Sequence, residues 1–276
     1  MNLKGLPLIR HHQFNDGREQ ALNKHLMSLQ DSIKGDPKAV LEALEGHIDA
    51  NVFMMTFKPS KIEIARKILA AQDPKPRVIV ELGGYVGASA IAWAAMLRDF
   101  HGSSDTNSLS GCKVYSCELD PAFAEITRQH VELAGLSDLV EVVEGESAAS
   151  LRRLKAEGKL NTIDMLFLDH WEKYYVSDTQ LCEELGLFRK GSIIIADNVD
   201  IPGAPAYLEY IKAGGSGKPG SVKYETQTYM APESEPGPVC LRLHVDKKRT
   251  NWERSERWSL PWLWKPHSQR CRIRCS

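Results

Sequence analysis

No apolar run in this chain of 276 residues approaches the roughly 20 that a membrane-spanning helix needs, so no such helix is expected. Charge of one sign is also missing. Thirty-five Lys and Arg stand against 36 Asp and Glu, a formal net charge of −1. That balance removes the electrostatic case for nucleic acid or an anionic membrane as the main partner. The first residues, MNLKGLPLIRHHQFNDGREQ, lack the apolar stretch and small-residue cleavage site of a secretory leader. Cysteine is sparse, with six scattered at positions 112, 117, 182, 240, 271 and 275. Cys112 and Cys117 flank the interior of a predicted strand and read as reduced core residues, not as a framework of bridges. There is no internal repeat. These absences leave a cytoplasmic location as the expectation. The 42% hydrophobic and 26% charged residues that are present suit one sizeable α/β domain.

The chain opens with helical patterns. DGREQALNKHLMSLQDSIKG places Leu22, Leu26 and Leu29 at helical spacing, and GDPKAVLEALEGHIDA begins with Asp36 as N-cap and Pro37 at the first helical position. SKIEIARKILAAQ adds a third helix. From Arg77 the pattern changes to buried strands separated by amphipathic helices. The strands are read at 77–83, 113–119, 139–145, 163–169 and 191–197. Continuous apolar strands alternating with helices predict a parallel sheet covered on both faces, and right-handed crossovers make it doubly wound. VKYETQTYMA and VCLRLHVD, joined by PESEPGP, read as a terminal antiparallel hairpin, giving an α/β, Rossmann-like sheet of seven mostly parallel strands. HGSSDTNSLSG (101–111) reads as a surface loop. The expected organisation is one domain over 1–246 and a disordered tail over 247–276. That tail carries nine Lys and Arg against two Glu, and four of the six tryptophans.

VIVELGGYVGASA joins a strand to a helix. Glu81 closes the strand, and Gly83, Gly84 and Gly87 permit a tight turn and close approach of a ligand to the backbone. The next strand ends in CELD, so Glu118 stands about thirty residues on, where a carboxylate accepts both hydroxyls of a ribose. The pair implies an adenosine-containing cofactor. The dinucleotide spacing G-x-G-x-x-G is absent, which favours S-adenosylmethionine over a nicotinamide cofactor.

LDHW places Asp169 and His170 at the end of the fourth strand, and IIIADNV places Asp197 and Asn198 at the end of the fifth. Two carboxylates and an amide oxygen, Asp169, Asp197 and Asn198, then meet beside the cofactor. An all-oxygen set with open positions suits Mg²⁺. His170 is a poor ligand for so hard an ion and is placed near the cofactor instead.

GDPKAVLEALEGH, VELGGYVGASA, CELDPAFAEITRQHVELAGL, LDHW and IIIADNVDIPGAPAYLEYI closely resemble the corresponding stretches of the catechol O-methyltransferase family, over roughly residues 35 to 213. The resemblance implies a class I methyltransferase fold, S-adenosylmethionine and Mg²⁺ as cofactors, and a small phenol or catechol as partner. It also implies roles by position. Glu81, Tyr85 and Ser89 would line the methionine part of the cofactor, with Phe57 on the loop that closes over it. Glu118 would hold the ribose, Leu119 would lie against the adenine and Ser147 at its edge, and His170 and Trp171 would flank the adenosine beside Asp169. Asn198 would also face the substrate oxygen, and Pro202 would form part of the substrate wall.

Three positions depart from the family pattern. The lysine that follows LDHW as general base is replaced by Glu172, with Lys173 next to it, and these two are the candidate catalytic residues. A glutamate near the start of the last strand is replaced by Val239, and the polar partner at the adenine edge by Ala148. The departures bear on substrate and rate and leave the cofactor and metal positions intact. The leading reading is methyl transfer to a phenolic oxygen. The alternative is a protein that keeps cofactor and metal but has reduced or lost turnover.

Overall fold

The computed structural model describes residues 16–51, 54–102, 108–216, 222–230 and 240–246. Four helices precede the sheet: α1 (Arg18–Ser28), α2 (Gln30–Ile33), α3 (Pro37–Asn51) and α4 (Pro59–Ala70). The single helix expected after Asp16 is broken at Leu29. Ser28 and Ser32 donate their hydroxyls to the carbonyls of His25 and Leu29, a local bond that competes with the helical ladder. Asp36 caps α3 as expected, accepting from the amides of Lys38 and Ala39 at 3.0 and 3.2 Å.

Strands and helices then alternate: β1 (Val78–Leu82), α5 (Ala88–His101), β2 (Lys113–Glu118), α6 (Pro121–Leu133), β3 (Val140–Glu144), α7 (Ser147–Ala156), β4 (Ile163–Leu168), α8 (Tyr175–Glu184), β5 (Phe188–Ala196) and α9 (Pro205–Lys212). Two further strands follow, β6 (Tyr224–Met230) and β7 (Cys240–Asp246). The sheet order is β3-β2-β1-β4-β5-β7-β6, with β1 to β5 parallel. The last strand pairs antiparallel with both β5 and β6, so it lies inside the sheet and β6 forms the edge. The expected turn PESEPGP, Val239 and the 247–276 tail lie outside the described residues.

Neighbouring strand residues face opposite ways, which is why the strands read as continuous apolar runs. Ile79, Val114, Met165 and Ile193 pack with Leu22, Leu44, Trp93 and Val131 on one face. Val80, Tyr115, Leu166 and Ile194 pack with Leu151, Tyr175, Leu181 and Tyr207 on the other. β5 begins at Phe188, ahead of the expected Gly191. A register shift between Ile163 and Met165 absorbs the extra residues, with Ser192 Oγ donating to the Ile163 carbonyl. Cys112, Cys117 and Cys182 are buried free thiols.

Chain order reverses between β1 and β4. The chain steps outward from β1 to β3, then returns to build β4 and β5 on the other side. In open α/β sheets the crevice outside the carboxyl ends of the strands at such a reversal is the ligand site. Leu82, Leu168 and Ala196 lie in register and bring those ends level.

Candidate functional site

The turn after β1 is set by backbone contacts. Gly83 and Gly84 both donate their amides to the Cys117 carbonyl, at 2.9 and 3.1 Å. Gly83 has φ 101°, and a Cβ there would come within 2.5 Å of the Asp169 carbonyl oxygen, so the close approach of β1 and β4 requires glycine. Tyr85 takes a left-handed φ of 45°, which aims its amide at Glu118 Oε2, 2.7 Å away. Glu118 Oε1 accepts from the Asp120 amide at 2.8 Å. Burial raises the Glu118 pKa, against the pull of these backbone donors. Each carboxylate oxygen has a second lone pair, so Glu118 can still accept a pair of hydroxyls.

Phe57, Gly83, Gly84, Tyr85, Ser89 and Asp169, six residues singled out by sequence, line one narrow cleft of about 30 Å³ with Met55 and Thr56. A wider hollow of about 440 Å³ lies along edge strand β3, lined by Arg128, Glu141, Glu144 and Lys159, and none of the candidate site residues lines it. Glu81 does not open into the cleft as a free acid. It is fully buried beneath it, accepting from Ser116 Oγ at 2.6 Å and Trp93 Nε1 at 3.2 Å. Burial pushes its pKa up to about 7, with those hydrogen bonds opposing. Phe57 packs between Trp93 and Phe167, with ring centroids 5.6 and 4.7 Å away. The Tyr85 hydroxyl turns to α1 and donates to Glu19 Oε1 at 2.8 Å.

The acidic pair sits one step beyond the paired strands. The Asp169 amide donates to the Leu82 carbonyl and the Asp197 amide to the Leu168 carbonyl, each at 3.0 Å. Asp197 is 3% exposed, and its Oδ2 lies 2.7 Å from the Nζ of buried Lys61 on α4. Its Oδ1 is buried without a hydrogen-bond partner among the described residues. Asp169 is held well above the carboxylate range, first by burial and then by the Asp197 charge, with Lys61 opposing. Asn198 has φ 56° and opens the helical turn Val199–Gly203, to which Pro202 belongs. Among the described residues no three His, Cys, Asp or Glu side chains converge to hold a metal. The candidate set has two carboxylates and one amide, all oxygen donors. An orphaned buried oxygen and mutual repulsion of the acids fit a divalent cation.

Lys61 was not found by the sequence reading, although a signal existed. It occupies the buried stripe of α4 with Ala65, Ile68 and Leu69, where a lysine needs a partner. Asp178 on α8 was also missed. Its Oδ2 accepts from Ser147 Oγ at 2.6 Å and from His170 Nε2 at 2.8 Å. Among the described residues the exposed large apolar side chains are Met55, Leu119, Trp171 and Tyr174, all in the connections that follow the strands or lead into α4.

A family model described as a methyltransferase domain matches residues 80–199. The chain is 37% identical over 204 residues to a catechol O-methyltransferase of Bos taurus, covering 74% of this chain and 70% of the relative. The chain belongs to the catechol O-methyltransferase family. A transmembrane O-methyltransferase homolog of Mus musculus is 30% identical over 188 residues, covering 68% of each chain. The O-methyltransferase of Bacillus cereus, solved in complex with SAH, has the same fold. Its TM-score is 0.57 at 21% identity, and the match covers 83% of this chain and all (100%) of that one.

Where the catechol O-methyltransferase resemblance implies a lysine, this member of the family carries Glu172, on the short helical turn Glu172–Tyr174. Glu172 is half-buried and near enough to Asp169 for its charge to raise the Asp169 pKa. Lys173 lies over two aromatic rings, its Nζ 5.8 Å from the centroid of the Trp171 ring and 4.7 Å from that of Tyr174.

Proposed function

We propose that this protein transfers a methyl group from S-adenosylmethionine to a hydroxyl of a small catechol-like phenol, with Mg²⁺ held by Asp169, Asp197 and Asn198. The observation that carries the reading is the placement of Asp169 and Asp197 at level strand ends, one lining the glycine-turn cleft and the other with an unpartnered buried oxygen. When bound, the cation supplies a Lewis acid that makes a phenol more acidic, and the cofactor supplies an electrophilic methyl on a sulfonium.

The chain's own residues do the positioning, which is the larger part of such a reaction because a thioether leaves without protonation. Glu118 takes the ribose hydroxyls. Gly83 and Gly84 let the cofactor approach the backbone. Lys61 occupies Asp197 Oδ2 and leaves Oδ1 for the ion. Met55, Trp171 and Tyr174 offer an apolar rim to an aromatic ring and keep water off it. Glu172, on the acidic side of its turn, receives the acceptor proton through water. The proposal includes one domain over 1–246 and a cytoplasmic enzyme. No helix among the described residues is long and apolar enough to cross a membrane.

The position of Lys173 over Trp171 and Tyr174 favours a second reading, a cofactor-binding protein with reduced or lost turnover, because no lysine replaces the expected base at Glu172. Transfer of labelled methyl to catechols with and without chelator separates the two. The first reading predicts transfer that chelation abolishes. Cofactor binding without transfer to any of a broad phenol panel supports the second, and transfer that ignores chelation removes the metal role.

A further inference from the structure

The structure assigns to Asp178 the role of a positioning residue that fixes the tautomer of His170, so that Nδ1 accepts a hydrogen bond from the adenosine part of the cofactor. The assignment rests on the cofactor reading above.

Asp178 is 3% exposed, and one of its oxygens serves two loops. Ser147, at the start of α7, reaches it from the end of β3, and His170 reaches it from the end of β4. These are the two loops between which an adenine would lie if Glu118 holds the ribose. Ser147 Oγ donates to this same oxygen, which marks it as an acceptor, and the His170 nitrogen 2.8 Å from it is the one placed to donate. In a neutral imidazole the other nitrogen is then bare.

That other nitrogen, Nδ1, is buried and has no hydrogen-bond partner among the described residues. The ring is held by stacking contacts. It stacks on Tyr175, centroids 5.2 Å apart at 29°, and on Tyr174 at 6.4 Å and 14°. A buried ring nitrogen without a partner, one residue along from the cleft-lining Asp169, calls for a hydrogen-bond partner, and leaving it unmet costs stability. Adenosine offers its exocyclic amine and ribose hydroxyls as donors. Ser147 alone would not explain the arrangement, because its hydroxyl could cap α7 without Asp178.

The experiment uses the full chain with ¹⁵N-labelled histidine and S-adenosylhomocysteine as the probe. The free protein should show His170 protonated at Nε2, and the bare Nδ1 resonance should move when the probe binds. In Asp178→Ala, which removes the shared acceptor, the proton should no longer be held at Nε2 and the Kd for the probe should rise about tenfold or more. Ser147→Ala, which keeps the His170 contact, should leave the tautomer unchanged. A wild-type His170 protonated at Nδ1, an Nδ1 resonance indifferent to the probe, or full affinity in Asp178→Ala overturns the assignment alone. Should Asp178→Ala not fold, the two wild-type spectra still decide it. Failure of the wild-type protein to bind the probe at all overturns the cofactor reading, and this assignment with it.

Discussion

Glu81 shows how one side chain serves two demands. It is fully buried beneath the glycine turn, with hydrogen bonds from Ser116 and Trp93 that keep the turn over it in place. Burial raises its pKa from 4.5 to about 7. The folded protein therefore holds this proton over a window in which the unfolded chain has released it. By linkage, stability falls as pH rises from about 4.5 to 7 and this contribution is flat above. The full effect is on the order of 3 kcal/mol. His130 works in the opposite sense, its pKa lowered to about 4 by burial, and Asp169 in the same sense, so the raw pH profile is a mixture. The difference between wild type and Glu81→Gln isolates the one group. Glu81→Gln should gain stability relative to wild type as pH rises through that window, by denaturant titration at fixed pH values. A difference independent of pH would mean that Glu81 is ionised in the folded protein at all pH values tested.

At the scale of elements, the glycine turn is where geometry is tightest. Gly83→Ala puts a Cβ against a backbone oxygen of Asp169 at a positive φ, and neither atom belongs to a flexible side chain. Strain and overlap together should cost about 2–5 kcal/mol. Gly111→Ala has φ 77° but nothing within 4 Å, so it should cost only the conformational part, about 1 kcal/mol. Equal losses in the two variants would show that β1 and β4 do not approach as closely as described. The elements themselves were largely legible, because their signals are local. Continuous apolar runs located the five parallel strands, period-3.6 patterns located their helices, and Asp36 marked a helix start. The break at Leu29 was not legible. It depends on serine hydroxyls choosing nearby carbonyls, which composition does not specify.

At the scale of the whole molecule, the candidate site sits where strand order reverses, and residues far apart in sequence meet there. Strand-end motifs announced Asp169, Asp197, Gly83 and Glu118, since a doubly wound sheet brings all strand ends to one side. Lys61 and Asp178 were missed for the same physical reason. Each lies inside a helix and acts through a partner that only the tertiary fold supplies, Lys61 on Asp197 and Asp178 on His170. Lys61 also changes how the acidic pair should be tested. Asp197→Ala would leave a buried ammonium unpaired and cost about 3–5 kcal/mol, whereas Asp197→Asn keeps an acceptor for it. The most direct measurement of the central claim is therefore methyl transfer from S-adenosylmethionine to catechol by wild type, Asp169→Asn and Asp197→Asn at saturating Mg²⁺, with S-adenosylhomocysteine affinity followed in parallel. The account predicts that both variants lose activity by about a hundredfold or more while binding the cofactor product within a few-fold of wild type. Near-normal turnover in either variant would contradict it.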